Sequence, residues 1–279
     1  MAFSAIVIKG LFYGSALLTI GLTIHGVLRI SERNRLLLYA SISTLVLVTA
    51  KLLQLNANAG GGWSYAFSTD TFTWIWATNK NQTYVYVVGL LFIIIASAIK
   101  RRNVAHVISA LGAIITALGF GLSGHTQGLA NPGLMPALVI GHVIVACFWF
   151  VAPITLYPRA SVNLLELQRR VTRFSHFAVL LVPALFASGI WLLLTISGSL
   201  QAVITQNYGR LLLLKLLCAI ALLALGAYNK WHVSRELQTN SGSARLKLRR
   251  TLKLEALLFT VVLMFIALAT TVIGPEHGY

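Results

Sequence analysis

Residues 211–228 read LLLLKLLCAIALLALGAY, a run of 18 residues in which Lys215 is the single charged side chain. A helix rises about 1.5 Å per residue, so this run makes a helix roughly 27 Å long, close to the hydrocarbon thickness of a bilayer. An apolar run of this length is typical of a membrane-spanning helix. We therefore predict that this part of the chain folds inside a membrane.

The rest of the chain repeats the pattern. Of its 279 residues 57% are hydrophobic and 10% charged, whereas about a quarter are charged in soluble domains. Apolar runs of spanning length lie at about 5–29, 36–57, 82–99, 103–123, 134–157, 174–198, 210–231 and 252–273. These runs predict an all-α, polytopic protein, a bundle of eight transmembrane helices forming one integral membrane domain over residues 1–279. Because no room remains for a sizeable soluble domain, we expect neither catalytic residues nor an organic cofactor.

The charged residues predict the orientation. The formal net charge is +16, but the cations form no single patch that would suit nucleic acid. Of the 22 Lys and Arg, 17 follow the first, third, fifth and seventh apolar runs, and only five lie elsewhere. Cytoplasmic loops are enriched in Lys and Arg, so those four loops should face the cytoplasm and both termini the outside, N-out and C-out, with lipid around the bundle.

One segment between the second and third runs is less apolar. Residues 60–81 begin with GGGW, and six aromatic residues then alternate with polar ones. Trp and Tyr favour the headgroup level of a bilayer, so we predict an aromatic flap on the outer surface.

The histidines separate by their predicted depth. His25, His106, His176 and His232 fall at cytoplasmic helix ends. His125 ends the fourth helix on the outer side, His142 lies about two turns into the fifth, and His277 follows the eighth on the outer side. An imidazole within a spanning helix is costly, so His142 is a candidate for a metal or proton role.

The fifth helix carries a stripe of possible ligands. Met135, His142 and Trp149 recur at intervals of seven residues and so share one face. Thioether and imidazole suit copper better than magnesium or calcium, which prefer oxygen. A Gly-rich stretch beside His125 can open the helix end toward an ion, and Met264 in the eighth helix is a possible deeper ligand. Packing is the alternative role for Met135 and Trp149.

Other polar residues lie within the apolar runs. Lys9, Lys51 and Lys215 lie one or two turns inside the outer boundary, where long side chains can snorkel to the surface or form a positive collar. Asn229 and Glu255 near the cytoplasmic side can assist ion exit or act as helix-end groups facing the basic loops.

Several stretches together resemble the copper resistance protein D (CopD) family of bacterial inner-membrane proteins. They are GHTQGLANPG from residue 124, GHVIVACFW, RFSHFAVLLVPALFASGIWLLL, YGRLLLLKLLCAIALLALGAYNK and LRRTLKLEALLFTVVL, and they cover about 124–275. The residues expected to recur in that family are His125, His142, Trp149, Arg173, Phe174, Ser175, Tyr208, Gly209, Lys215, Asn229 and Glu255.

The resemblance implies a multi-pass protein of the bacterial inner membrane that transports or imports copper and contributes to copper resistance. It also implies a small periplasmic partner, a copper-binding protein of the CopC type. The metal would be a copper ion, Cu(I) or Cu(II), and the predicted ligands on the periplasmic side are His125, His142, His277 and Met135.

Two alternatives stay open at this point. A b-type haem or quinone redox protein would need paired histidines at similar depth, with His25, His106 and His176 as candidates. A copper-binding sensor or assembly factor would bind the ion without transporting it.

Overall fold

The computed structural model describes residues 2–32, 35–122, 133–159, 162–197, 199–239 and 241–271, with no side-chain description at 202 and 241. Within these ranges the regular structure is helical, without strands. The helices are α1 Ala2–Val27, α2 Arg35–Ala59, α3 Thr69–Ala98, α4 Arg102–Gly121, α5 Met135–Phe150, α6 Ala152–Thr155, α7 Leu164–Ser197, α8 Leu200–Thr205, α9 Asn207–Tyr228, α10 Ser234–Thr239 and α11 Ser241–Ala269, with a 3-10 turn Trp63–Tyr65 and a π-helical turn Asn229–Val233.

The described residues contain eight helical segments that are long and apolar enough to cross a membrane, as predicted. Two of them are composite: α5 and α6 form one span, and α9, the π-helical turn and α10 form another. Several helices begin earlier than predicted, since α3 begins at Thr69 and not near residue 82, and α11 at Ser241 and not near residue 252. Helix α7 begins at Leu164 and not near residue 174. Its added turns carry Glu166, whose carboxylate pairs with Arg169 and Arg170 and thereby supports helix where hydropathy alone shows none.

The N-terminal helices pack closely. Helices α1 to α4 form one packed group, and α5 lies against α1 and α4. Helices α3 and α4 approach each other closely, because a Cβ on Gly89 would lie 2.6 Å from the backbone nitrogen of Thr116 and 2.7 Å from the carbonyl oxygen of Gly112. Small residues let membrane helices approach this closely, so van der Waals contact between backbones holds this pair.

The C-terminal helices surround a second core. Trp149 and Phe148 of α5 are buried against residues of α7, α9 and α11, including Leu167, Leu222 and Leu252. Helices α9 and α11 pack along each other, and α11 also reaches α1. The span formed by α5 and α6 therefore lies between the two groups of helices.

The predicted aromatic flap takes a different form. Only residues 60–68 lie outside α2 and α3, because 69–81 form the first turns of α3. The short connection is tied down by Asn56, whose side-chain amide donates hydrogen bonds to the backbone oxygens of Tyr65, Ala66 and Ser68. The residues after Ser68 thus pair their backbone groups within a helix, so most of the predicted flap is helical. Its position at a membrane surface stays a prediction.

Candidate metal site

The four predicted ligands differ in what the structure describes. His125 and His277 lie outside the described residues. Met135 is the first residue of α5, and His142 lies two turns further along the same helix. The structure therefore neither joins nor separates the histidines, and their convergence stays a prediction.

His142 is held by α7. Its Nδ1 lies 2.9 Å from the hydroxyl oxygen of Ser188. The Ser188 hydroxyl donates its single proton to the carbonyl oxygen of Leu185 at 2.9 Å. With that proton engaged, the Ser188 oxygen acts as an acceptor toward the ring, so Nδ1 carries the proton and donates it.

This protonation state prepares the His142 ring to bind a metal ion. In a neutral imidazole whose Nδ1 is protonated, Nε2 carries the lone pair that binds a metal. A histidine that ligates a metal commonly donates its other N–H to a fixed acceptor, as His142 does to Ser188. Gly189 leaves room for the ring, since a Cβ there would lie 3.1 Å from Cε1 of His142.

The described residues do not complete a metal site around His142. They contain no group of three or more His, Cys, Asp and Glu side chains arranged to hold an ion. Further ligands would have to come from Met135, or from His125 and His277, which lie outside the described residues. Lys215 is also close enough for its charge to act on His142, and a nearby ammonium disfavours a second cation unless anionic ligands accompany it.

The two possible ligands further along the bundle from His142, Trp149 and Met264, do not belong to a metal site among the residues that the structure describes. Trp149 is buried, its ring meets that of Phe259 edge to face with 5.9 Å between centroids, and it also contacts Phe186. Met264 is 63% exposed and so lies on the outside of the bundle. Neither residue extends the site inward from His142.

His25 is a buried residue whose role the sequence did not indicate. Its Nε2 donates to the carbonyl oxygen of Phe148, and its Nδ1 bonds to the hydroxyl of Thr155, both at 2.9 Å. The Phe148 carbonyl precedes the break between α5 and α6, where Pro153 lacks an N–H to continue the helix. His25 therefore satisfies backbone at a helix break, and neither of its ring nitrogens is left for a haem iron. The nearby proline was the available signal.

Two of the three lysines that were predicted near the outer boundary form hydrogen bonds with groups on neighbouring helices or the following turn. Lys9 donates to the carbonyl oxygen of Thr270, and Lys51 donates to Oε1 of Gln82 at 3.3 Å while lying over the ring of Phe12. The contacts of Lys51 tie α2 to α3 and α1, so simple snorkelling to the surface does not describe it.

A second buried polar cluster joins α9 to α11. Asn229 Nδ2 donates to Oε1 of Glu255 at 2.9 Å, and the Thr251 hydroxyl donates to Oδ1 of Asn229 at 2.7 Å. Glu255 is only 2% exposed. The sequence left two roles open for Asn229 and Glu255, assisting ion exit or acting as helix-end groups. In the structure they form one hydrogen-bonded unit inside the bundle.

Comparison with known proteins agrees with the resemblance in the C-terminal region. Residues 168–269 match the family model described as copper resistance protein D. No curated protein and no solved structure matches the chain. The matched region contains Ser188, Asn229 and Glu255, whereas Met135 and His142 lie before it. Residues 168–269 are thus similar to the copper resistance protein D (CopD) family, and the eight apolar helices among the described residues identify a multi-pass membrane protein whose location fits the bacterial inner membrane.

Proposed function

We propose that this protein transports copper across the bacterial inner membrane and that His142 is a copper ligand in its periplasmic half. The family match supports copper as the metal. The observation that carries the site is the hydrogen bond from His142 Nδ1 to Ser188, because it leaves Nε2 as the ligating atom.

The proposed orientation is N-out and C-out. It is supported by the Lys and Arg residues, 17 of which follow the odd-numbered spans. In this orientation the start of α5, with Met135 and His142, lies in the periplasmic half. His125, in the connection before α5, and His277, after α11, belong to the same side and are proposed as further ligands.

Copper, as Cu(I) or Cu(II), is the cargo. The thioether of Met135 would capture or relay the ion, and imidazole accepts either oxidation state. Binding at each site must be weak enough for the ion to leave, which favours a few ligands at a time. Because Lys215 adds a positive charge near His142, delivery with anionic ligands, by a CopC-type periplasmic protein, suits the site.

Copper uptake into vesicles containing the purified protein tests this proposal. His142→Ala should reduce uptake and copper affinity by roughly tenfold or more, since it removes a ligand. His232→Ala is the matched control, because His232 is an exposed histidine stacked on Tyr228 in the span formed by α9 and α10.

The outcomes are distinct. Wild-type uptake by His142→Ala would remove His142 from the copper path. Copper binding by the wild-type protein without uptake or counterflow would instead indicate a sensor or assembly factor.

A further inference from the structure

Glu255 is a buried carboxylate without a cationic partner. It lies midway along α11 and forms no ion pair with any residue that the structure describes. An ionised carboxylate in a membrane interior is costly unless it is paired or hydrogen-bonded, so such a residue usually has a function. The three described carboxylate pairs instead involve Glu166 and Glu236.

The charged groups near Asn229 do not neutralise Glu255. Tyr228, Lys230, His232 and Arg235 are exposed, Glu236 pairs with Lys247, and His25 on α1 has both ring nitrogens bonded. Helix α6, which also packs against α11, contains only Ala152, Pro153, Ile154 and Thr155. The polar group that acts on the Glu255 carboxylate is the Asn229 amide.

The Asn229 amide suits an ionised carboxylate. It presents its N–H donor to Glu255 and receives the Thr251 hydroxyl at its oxygen. A metal ion at the carboxylate would require the amide oxygen there instead. In the observed orientation the amide therefore stabilises the ionised carboxylate itself, and not a cation bound to it.

The same three side chains also suit a protonated carboxyl. The Thr251 hydroxyl has a second acceptor, the carbonyl oxygen of Leu248, at 3.0 Å. When the Thr251 hydroxyl donates to Leu248, the Thr251 oxygen can accept a hydrogen bond from the NH₂ group of a flipped Asn229 amide. The flipped amide then presents its oxygen to the O–H of protonated Glu255. The Asn229 amide and the Thr251 hydroxyl thus keep hydrogen-bond partners in both states.

The backbone gives Asn229 space for this movement. Asn229 begins the π-helical turn Asn229–Val233, the one interruption between α9 and α10. Such wide turns recur at functional sites. A surface groove of about 460 Å³ starts at the preceding residue, Tyr228, and also includes His232 and Lys247, so water reaches the neighbourhood of the turn.

We propose that Glu255 is a proton-exchange site, in which the Asn229 amide and the Thr251 hydroxyl reorient to bond the carboxyl group in both its ionised and its protonated form. Uptake forms one O–H bond on Glu255 with a proton released by a hydronium ion in the groove, which becomes water, and release reverses this step. In a copper transporter, a role that rests on the proposed function, this site would let a proton gradient act on the C-terminal helices.

Infrared difference spectroscopy of the full-length protein tests the site without copper. Acidification across about pH 9 to 5 should produce the C=O stretch of a protonated carboxylic acid in the wild-type protein. Glu255→Gln should abolish that band, whereas Glu166→Gln should keep it, because Glu166 is a half-buried carboxylate paired with two arginines.

Thr251→Val keeps the carboxylate and removes the rotating hydroxyl. The band should persist in this variant but titrate at a different pH, which also covers the case in which Glu255→Gln does not fold. A band that is unchanged in Glu255→Gln, or a Glu255 carboxyl that never titrates, overturns the proposal. A titration in Thr251→Val identical to that of the wild type overturns the role of the hydroxyl.

The coupling of proton movement to copper flux is tested separately in copper-loaded vesicles that contain a pH-sensitive dye. Proton movement should accompany copper flux in the wild type and be lost in Glu255→Gln. Equal proton movement in both proteins overturns the coupling. Absence of copper flux in the wild type would overturn the proposed function and leave the infrared result intact.

Discussion

Each of the spans α1 to α4 buries between 28% and 44% of the residues in its apolar window inside the chain, whereas α7 and the span of α9 and α10 bury 6% each. Both regions are strongly apolar, so the difference lies in what covers their side chains. In lipid an exposed apolar face has no cost, and helices need not bury it against one another. The N-terminal helices are therefore held by their own packing, and the C-terminal helices depend more on lipid and on individual polar contacts.

The family match falls on the loosely packed region. Its helices are joined by specific hydrogen bonds, such as those from Gln168 to the carbonyl of Leu237 and from Asn229 to Glu255. Low burial in α7 and in the span of α9 and α10 is typical of helices that can move relative to their neighbours. The comparison thus predicts that changes in the N-terminal helices affect stability and changes in the C-terminal helices affect copper or proton binding.

The largest expected effect is at His25, where the two regions meet. His25→Ala leaves the Phe148 carbonyl unpaired at the break between α5 and α6 and opens a cavity, so we expect a loss of about 2 to 4 kcal/mol in the free energy of unfolding. Denaturant titration in mixed micelles measures it. His176→Ala, at an exposed histidine, should change stability by less than about 0.5 kcal/mol. Equal stability in the two variants would contradict the structural role of His25.

A smaller effect on stability should come from two glycine-to-alanine changes, which compare the packing of the N-terminal helices with that of the C-terminal helices. Gly89→Ala places a methyl group against the backbone of α4 and should lower the free energy of unfolding by about 1 to 3 kcal/mol. Gly226→Ala, on α9, meets only Trp149 at 3.6 Å, an ordinary contact. It should be neutral or stabilising by up to about 1 kcal/mol, since Ala favours a helix. Similar losses in both variants would mean that the C-terminal helices are as tightly packed as α3 and α4.

The smallest change in stability should accompany a clear change in copper binding. Ser188→Ala removes the acceptor that orients His142, and copper affinity should fall roughly 10-fold or more. The free energy of unfolding should change by no more than about 1 kcal/mol, because one neutral hydrogen bond is lost. Isothermal titration with copper and denaturant titration of the same preparation check both. Unchanged affinity would show that the orientation of His142 is irrelevant to copper.

Hydropathy predicted the number of spans well because each span is a local property of about 20 residues. It placed the start of α7 too late, since Glu166 and two arginines look like a loop until their pairing along a helix is seen. Part of the predicted flap is helix for a related reason: aromatic residues alternating with polar ones do not prevent helix formation when backbone groups pair locally. The roles of His25, His142, Asn229 and Glu255 were harder to predict, because each of these polar side chains has several possible hydrogen-bond partners elsewhere in the chain.

The amino-acid sequence by itself determined that this is a membrane protein, and it predicted the eight membrane-spanning segments that the described residues contain. Its distribution of positive charge predicts an orientation, and its motifs resemble one family. These follow from neighbouring residues alone. Only the tertiary structure decided which nitrogen of His142 stays available, why His25 is buried and what faces Glu255. Their partners lie 46, 130 and 26 residues away in the chain, and only helix packing brings them together.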